Sequence, residues 1–183
     1  MKEKRIDDYI KEGENLLYSG AAKENDYISV KFINVFPFIL LWLAAECVLL
    51  GVAIANSILG KDFNVYYTVL TVAAILLHLI PTIVWLSGVA KENMRIRGDE
   101  YAVTDKRIIV LHSRLHESAE TIENGEVVEI FLKRSLGELI TGTGRIIFAT
   151  DEEKIVFYSV PDAYKAFKKI YRAVLKGRSE SDE

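Results

Sequence analysis

The sequence predicts an α+β membrane protein in which a hairpin of two transmembrane helices carries a mostly β domain that ends in a helix. Two apolar stretches predict the hairpin: residues 32–60 contain one charged side chain, Glu46, and residues 63–90 contain none, although 27% of the chain is charged. After residue 90, short runs of β-branched and aromatic residues between turns predict the β domain, and an amphipathic pattern predicts the last helix.

Each apolar stretch is longer than the ~20 residues that cross the hydrocarbon core of a bilayer as a helix. Backbone groups in lipid must be satisfied within the segment, so we expect helices over about 33–59 and 64–89. A cleaved signal peptide is not expected, because thirty-one residues precede the first stretch and the stretch is too long. The short connector, essentially Lys61 and Asp62, makes the two helices antiparallel.

Basic residues flank the predicted helices unevenly. The connector holds only Lys61, whereas the side of the termini holds Lys23, Lys31, Lys91, Arg95 and Arg97. The positive-inside rule therefore predicts a multi-pass protein of the cell membrane with both termini in the cytoplasm. The single cysteine, Cys47, lies in the first span and forms no internal disulfide, and the net charge of −3 argues against a general nucleic-acid binder.

The predicted units are an N-terminal segment (1–31), the hairpin (32–90), the β domain (91–178) and a charged tail (179–183). In the N-terminal segment, the spacing of Ile6, Tyr9 and Ile10 favours a short amphipathic helix. The alternating residues 27–32 fit either a strand or the lead-in to the membrane. Whether this segment packs on the β domain is left open.

The β domain contains a succession of predicted strands. They span residues 101–104, 107–111, 126–132, 144–149 and 154–160. Asp105 and Lys106 form a plausible tight turn between the first two, which predicts an antiparallel barrel or sandwich. The final helix begins near Pro161 and Asp162 and ends near Gly177, and its apolar stripe is expected to cover the sheet.

Two segments of the β domain resemble the bacterial PH-like (bPH) membrane proteins. Tyr101-Ala-Val-Thr-Asp-Lys-Arg-Ile-Ile-Val110 is similar to the first hairpin of that family, and Arg134-Ser-Leu-Gly-Glu-Leu-Ile-Thr-Gly-Thr-Gly-Arg-Ile-Ile-Phe148 is similar to its middle signature. The resemblance covers about residues 95–177. It implies a seven-stranded PH-like barrel capped by the helix, placed after two membrane helices, that binds lipids or proteins rather than catalysing a reaction. Arg145 departs from the family pattern, so a charge-dependent ligand preference is expected to differ.

Glu46 and His78 are candidate functional residues within the predicted spans. Glu46 lies fifteen residues before Lys61 and His78 sixteen residues after Asp62, so an antiparallel hairpin brings them to similar depth. Ionisable residues inside a membrane often mark proton or ion pathways. The alternative is a structural hydrogen bond that holds the hairpin or an oligomer together.

A basic stripe on the final helix is the second candidate site. Cations recur at three- and four-residue spacing at Lys165, Lys168, Lys169, Arg172 and Lys176. Such a stripe near a bilayer attracts anionic lipid, although an ordinary solvated helix face has the same pattern.

Other motifs predict no catalytic or metal site. The sequence Gly142-Thr143-Gly144 lacks a Walker lysine and a following helix, so it is read as a turn that starts a strand. His112 and His116 flank an expected hairpin tip and lack further ligands for zinc. No nucleophile and base have a recognisable spacing, so no enzyme activity or cofactor is expected. We expect a membrane-anchored binding or scaffolding module that engages a protein partner, a second copy or anionic lipid; the alternative is a small oligomeric transport or proton-sensing unit.

Overall fold

The fold is mixed α+β, with two long apolar helices and two antiparallel sheets, as the sequence predicts. A computed structural model of the chain describes residues 6–59, 65–112 and 118–181. The helices are α1 (Asp26–Leu59) and α2 (Val65–Ile96), followed by α3 (Leu136–Thr141) and α4 (Ala163–Ser181). The connector residues Lys61 and Asp62 lie outside the described residues.

Helices α1 and α2 are long and apolar enough to cross a membrane, and the most apolar stretch of each is not buried inside the protein. Both helices reach beyond the predicted spans on the side of the termini. Helix α1 begins at Asp26, so residues 27–32, which fitted a strand or a lead-in, are helical. The start of α1 and the end of α2 lie side by side, because Asn93 Oδ1 accepts a hydrogen bond from the backbone N–H of Ile28 at 3.3 Å.

The strands form one sheet of four and one of three. The first sheet has the order β1 (Leu16–Ala21), β2 (Glu100–Thr104), β3 (Arg107–His112), β4 (Ser118–Glu123), and the second has the order β5 (Glu129–Lys133), β6 (Thr143–Ala149), β7 (Lys154–Pro161). All pairings are antiparallel. The tight turn predicted at Asp105 and Lys106 joins β2 to β3, and β6 starts at Thr143.

Of the barrel or sandwich that the sequence predicts, the closed barrel is wrong, because within the described residues no strand pairing joins the two sheets. The sheets meet through side chains instead: the ring of Tyr101 stacks on Phe157 at 4.5 Å, and its hydroxyl donates to the carbonyl of Tyr158 at 2.9 Å. Helix α4 fills the same core with Ile170 and Val174, both buried. Burial of these side chains replaces the hydrogen bonds that would close a barrel.

The N-terminal segment packs on the β domain. Its strand β1 pairs with β2 across the hairpin insertion, and Ile6 is buried against Ala102, Ile109 and Leu111 on the outer face of the first sheet. Strands β2 and β3 are therefore covered on both faces. This explains why residues 108–111 read as a continuous apolar run instead of alternating.

Three further elements differ from the sequence prediction. Strand β4 was missed because its side chains are polar and only Ile122 is buried. The predicted strand 126–132 begins only at Glu129, since Asn124–Glu126 is a 3₁₀ turn. Helix α4 continues past Gly177 to Ser181 and includes much of the predicted charged tail.

Candidate functional site

The basic stripe of α4 forms one wall of a groove of about 780 Å³. The opposite wall is β1, through Leu17, Tyr18 and Ser19. The cations that line the groove are Lys165, Lys168, Lys169 and Arg172. The side chain of Lys176, the fifth predicted member, lies outside the described part of α4.

Positive charge dominates this groove. Asp162 is the one carboxylate among its lining residues, and none of the four cations has an ion-pair partner in the part of the chain that the structure describes. Lys168 lies over the ring of Tyr164, with Nζ 4.5 Å from the ring centre. Small and apolar side chains also line the groove, including Leu17, Ala166 and Ala173.

Strand β1 presents an open edge to this groove. It is the outermost strand of the first sheet and pairs with β2 on one side only. Backbone bonds just beyond its end, from Ala22 to Asp99 and from Lys23 to Ser159, fix where the strand stops. Because the sheets do not close into a barrel, no strand within the described residues pairs with the outer edge of β1.

The groove extends away from the region where α1 and α2 join the β domain. Helix α4 begins next to Thr143, whose hydroxyl donates to Asp26 of α1 at 2.8 Å. Helix α4 also contacts the 3₁₀ turn at Asn124, which is bonded to Thr104 at the far end of the first sheet. Since α4 begins near α1 and reaches this turn, we infer that the cations from Lys165 to Arg172 lie at increasing distance from α1.

Glu46 and His78 lie in contact between α1 and α2. The Nδ1 atom of His78 is 3.1 Å from Oε1 of Glu46, and the His78 ring meets the edge of Trp42 with 6.0 Å between ring centres. The side chain of His78 is 53% exposed, and that of Glu46 is 15% exposed. Glu46 Oε2 is buried and has no hydrogen-bond partner among the described residues.

A polar junction joins the hairpin to the β domain at α3. Asn34 of α1 accepts a hydrogen bond from the N–H of Gly137 at 2.8 Å and donates to Ser135 Oγ at 3.2 Å. Glu138 is buried in α3 and pairs with Arg145, with Nε 2.7 Å from Oε1. Burial alone would raise the pKa of Glu138. Hydrogen bonds to its carboxylate from Ser135 and Arg145 outweigh burial, so the pKa of Glu138 is lowered. Arg145 is thus paired with an internal carboxylate.

A second polar cluster lies at the end of β3. Nδ1 of His112 is 3.0 Å from Oδ1 of the buried Asp99, without the alignment of a good hydrogen bond, and Nε2 is 3.4 Å from Glu120. Contact with the Asp99 carboxylate raises the pKa of His112, and burial raises the pKa of Asp99. In the described residues no group of three His, Cys, Asp or Glu could hold a metal ion. His116 and the expected hairpin tip lie outside those residues.

Comparison with protein families, with curated proteins and with solved structures finds no match to this chain.

Sequence reasoning found the basic stripe but missed the other wall of the groove. Strand β1 carries no clear alternation, and its burial pattern is irregular around a bulge between Leu16 and Tyr18. One feature of the sequence could have predicted this wall. The continuous apolar run of β3 indicates burial on both faces of the sheet, and the segment before the hairpin was left to cover the outer face. Helix α3 also had a readable signal, because Ser135 and Glu138 form a capping box.

Proposed function

We propose that this chain is a membrane-anchored binding module whose β domain holds an extended, acidic segment of a protein partner in the groove between β1 and α4. One observation carries the proposal: an open strand edge faces a row of four cations that lack ion-pair partners in the described residues. The strand edge supplies backbone hydrogen bonds, and the cations supply the charge preference.

The membrane anchor is the hairpin of α1 and α2. Its exposed side chains support this, because Phe38 is 72% exposed and Leu41 is 73% exposed, and surfaces of this kind on water-soluble proteins are small. The basic residues beside the β domain support a cytoplasmic location for that domain and both termini.

The β domain is a divergent PH-like domain in this proposal. The described residues form seven antiparallel strands in two groups, four and then three along the chain, followed by one helix. This order supports the assignment made from the residues near Tyr101 and Ser135. The open barrel and the insertion of the hairpin after β1 are departures from the family pattern.

A protein segment fits the groove better than the bilayer does. The stripe runs away from the hairpin, and the nine helical steps from Ala163 to Arg172 add about 14 Å. Attraction to anionic lipid falls off within about 8–10 Å at physiological salt. An extended segment laid beside β1 stays near the cations along its whole length.

The test uses the full chain in nanodiscs of phosphatidylcholine and a fluorescent ten-residue peptide that alternates Glu and Val. We expect binding that weakens with salt. Reversing two charges with Lys168→Glu and Arg172→Glu should weaken it about tenfold, since each exposed pair is worth up to ~1 kcal/mol. Lys154→Glu, an exposed lysine at the start of β7 outside the groove, is the matched control and should bind like the parent.

Two further comparisons decide the mode of binding. A backbone N-methylated peptide with the same charges should bind much more weakly, because it cannot complete the strand pairing. Equal binding of the methylated peptide would rule out strand addition. Displacement of the peptide by phosphatidylglycerol in the disc would show that the stripe faces lipid and would contradict the proposal.

A second candidate function is a small oligomeric proton-transport or proton-sensing unit around Glu46 and His78. The observation in its favour is the unsatisfied Oε2 of Glu46 next to a half-exposed imidazole. Buried polar atoms normally have partners, and a partner from a second copy or a transported proton would satisfy this one. Proton flux through proteoliposomes that is lost in Glu46→Gln would favour this function.

A further inference from the structure

Helix α3 has the reverse of the polarity expected for a surface helix. Its apolar side chains point outward, with Leu136 64%, Leu139 54% and Ile140 65% exposed. Its carboxylate, Glu138, is buried and neutralised by Arg145. In water, a short helix would place Glu138 outside and the three aliphatic side chains inside.

The position of α3 along α1 gives this reversal a reason. Gly137 lies against the backbone of Val30, and its N–H is bonded to Asn34. The apolar stretch of α1 is centred next to Glu46, twelve residues from Asn34, which is about 18 Å of helix. Half of a hydrocarbon core measures about 15 Å, so α3 lies at the level of the lipid headgroups.

We infer that α3 is a lipid-facing wedge: Leu136, Leu139 and Ile140 insert into the headgroup and upper acyl region of the bilayer that holds the hairpin. At the same level of α1, the apolar side chains of Phe32 and Phe36 are also exposed. Helices with one apolar face bury it about 5–10 Å into this region. The occupant is lipid, and this inference rests on the membrane anchoring in the proposed function.

The wedge changes how the β domain meets the membrane. The basic stripe alone predicts a contact by charge that high salt removes. Three inserted aliphatic side chains make a contact that salt does not remove, and they fix the rotation of the β domain about the hairpin. The groove beside β1 is then held facing away from the bilayer.

The test places single spin labels on the full chain in liposomes, in a Cys47→Ala background. Labels are attached after Leu136→Cys or Ile140→Cys in α3, after Leu41→Cys in α1 as the lipid reference, and after Glu152→Cys in the exposed β6–β7 turn as the water reference. Collision rates with oxygen and with a water-soluble nickel chelate are compared, and thermal unfolding verifies that each labelled protein is folded.

We expect positions 136 and 140 to show oxygen accessibility close to that of position 41 and nickel accessibility at least several-fold below that of position 152. Nickel accessibility equal to that of position 152 would place α3 in water and overturn the inference. Protection from both reagents, with spin–spin broadening, would show a second copy on this face and would also overturn it. Nickel access at position 41 would instead contradict the membrane anchoring itself, which separates the two failures.

Discussion

A single methyl group added at Gly137 should weaken the contact between the β domain and the hairpin. A Cβ at this position would lie 2.7 Å from the carbonyl oxygen of Val30 and 3.0 Å from its Cα. Both are backbone atoms of α1 and cannot rotate away. Gly137→Ala therefore requires α3 to retreat by roughly 0.5–1 Å, because non-bonded carbon atoms settle near 3.5 Å or beyond.

The retreat weakens the junction. It lengthens the 2.8 Å hydrogen bond from Gly137 to Asn34, and overpacking of this kind costs about 1–3 kcal/mol. Alanine regains up to ~1 kcal/mol in helix propensity, so we expect a net loss of about 1–2 kcal/mol. For a chain of this size that corresponds to a fall in Tm of about 2–8 °C.

The assay is calorimetric unfolding of the full chain in detergent micelles. Gly125→Ala is the matched control, because a Cβ there would meet no atom within 4 Å. The control should melt with the parent, within the ~0.5 kcal/mol typical of surface changes. If Gly137→Ala also melts with the parent, the close packing of α3 on α1 is not what holds the junction together.

Three further predictions address the other sites. Glu46→Leu/His78→Leu should keep near-parental Tm and peptide binding, with Glu46→Gln milder than His78→Leu, because paired polar groups exchanged together for hydrocarbon are often neutral; loss of function with unchanged Tm would favour transport. Contact with Asp99 raises the pKa of His112, so protonated His112 stabilises the fold fully below about pH 6.5, and this stabilisation is lost as the pH rises through the raised pKa. The free energy of unfolding of His112→Gln, measured with a chemical denaturant, should therefore depend less on pH above about pH 6.5 than that of the parent. A fragment 92–178 should give no cooperative melting transition, because it lacks β1. Residues 6–25 joined to 93–181 by a short Gly-Ser linker should melt cooperatively, and a short linker suffices because side-chain atoms of Asn25 and Asn93 lie 3.4 Å apart. Equal melting of both fragments would contradict the role of β1.

The sequence was sufficient wherever an element carried a clear apolar pattern. The two long helices and the β2–β3 hairpin contain continuous apolar runs, and strands β6 and β7 and the start of α4 have a periodic pattern. Strand β4 does not, because an edge strand with one buried side chain, Ile122, reads as polar loop. The failure to close a barrel depends on how the two sheets pack, which no local pattern specifies.

The sequence predicted one wall of the groove, formed by α4, but not the opposite wall, formed by β1. Regular spacing revealed the cations of α4, and counting from the connector brought Glu46 and His78 to one depth. The opposite wall of the groove comes from β1, some eighty residues before its partner β2 along the chain, and pairing over such separations leaves no local signal. The reversed polarity of α3 could not be predicted from the sequence, because it depends on the burial of Glu138.

The insertion of the hairpin between β1 and β2 has a mechanical consequence. Strand β1 leads into α1 through Ala22 and Lys23, whose N–H groups are bonded to Asp99 and Ser159. Farther along α1, Asn34 holds α3. A change in the tilt of α1 therefore acts on β1, which is one wall of the groove, and on α3 at once. Because the start of α1 is fastened to the β domain by hydrogen bonds, the domain is not joined to the hairpin by a free linker. Under the proposed function, we expect binding in the groove to be coupled to the packing of the hairpin in the bilayer through these contacts.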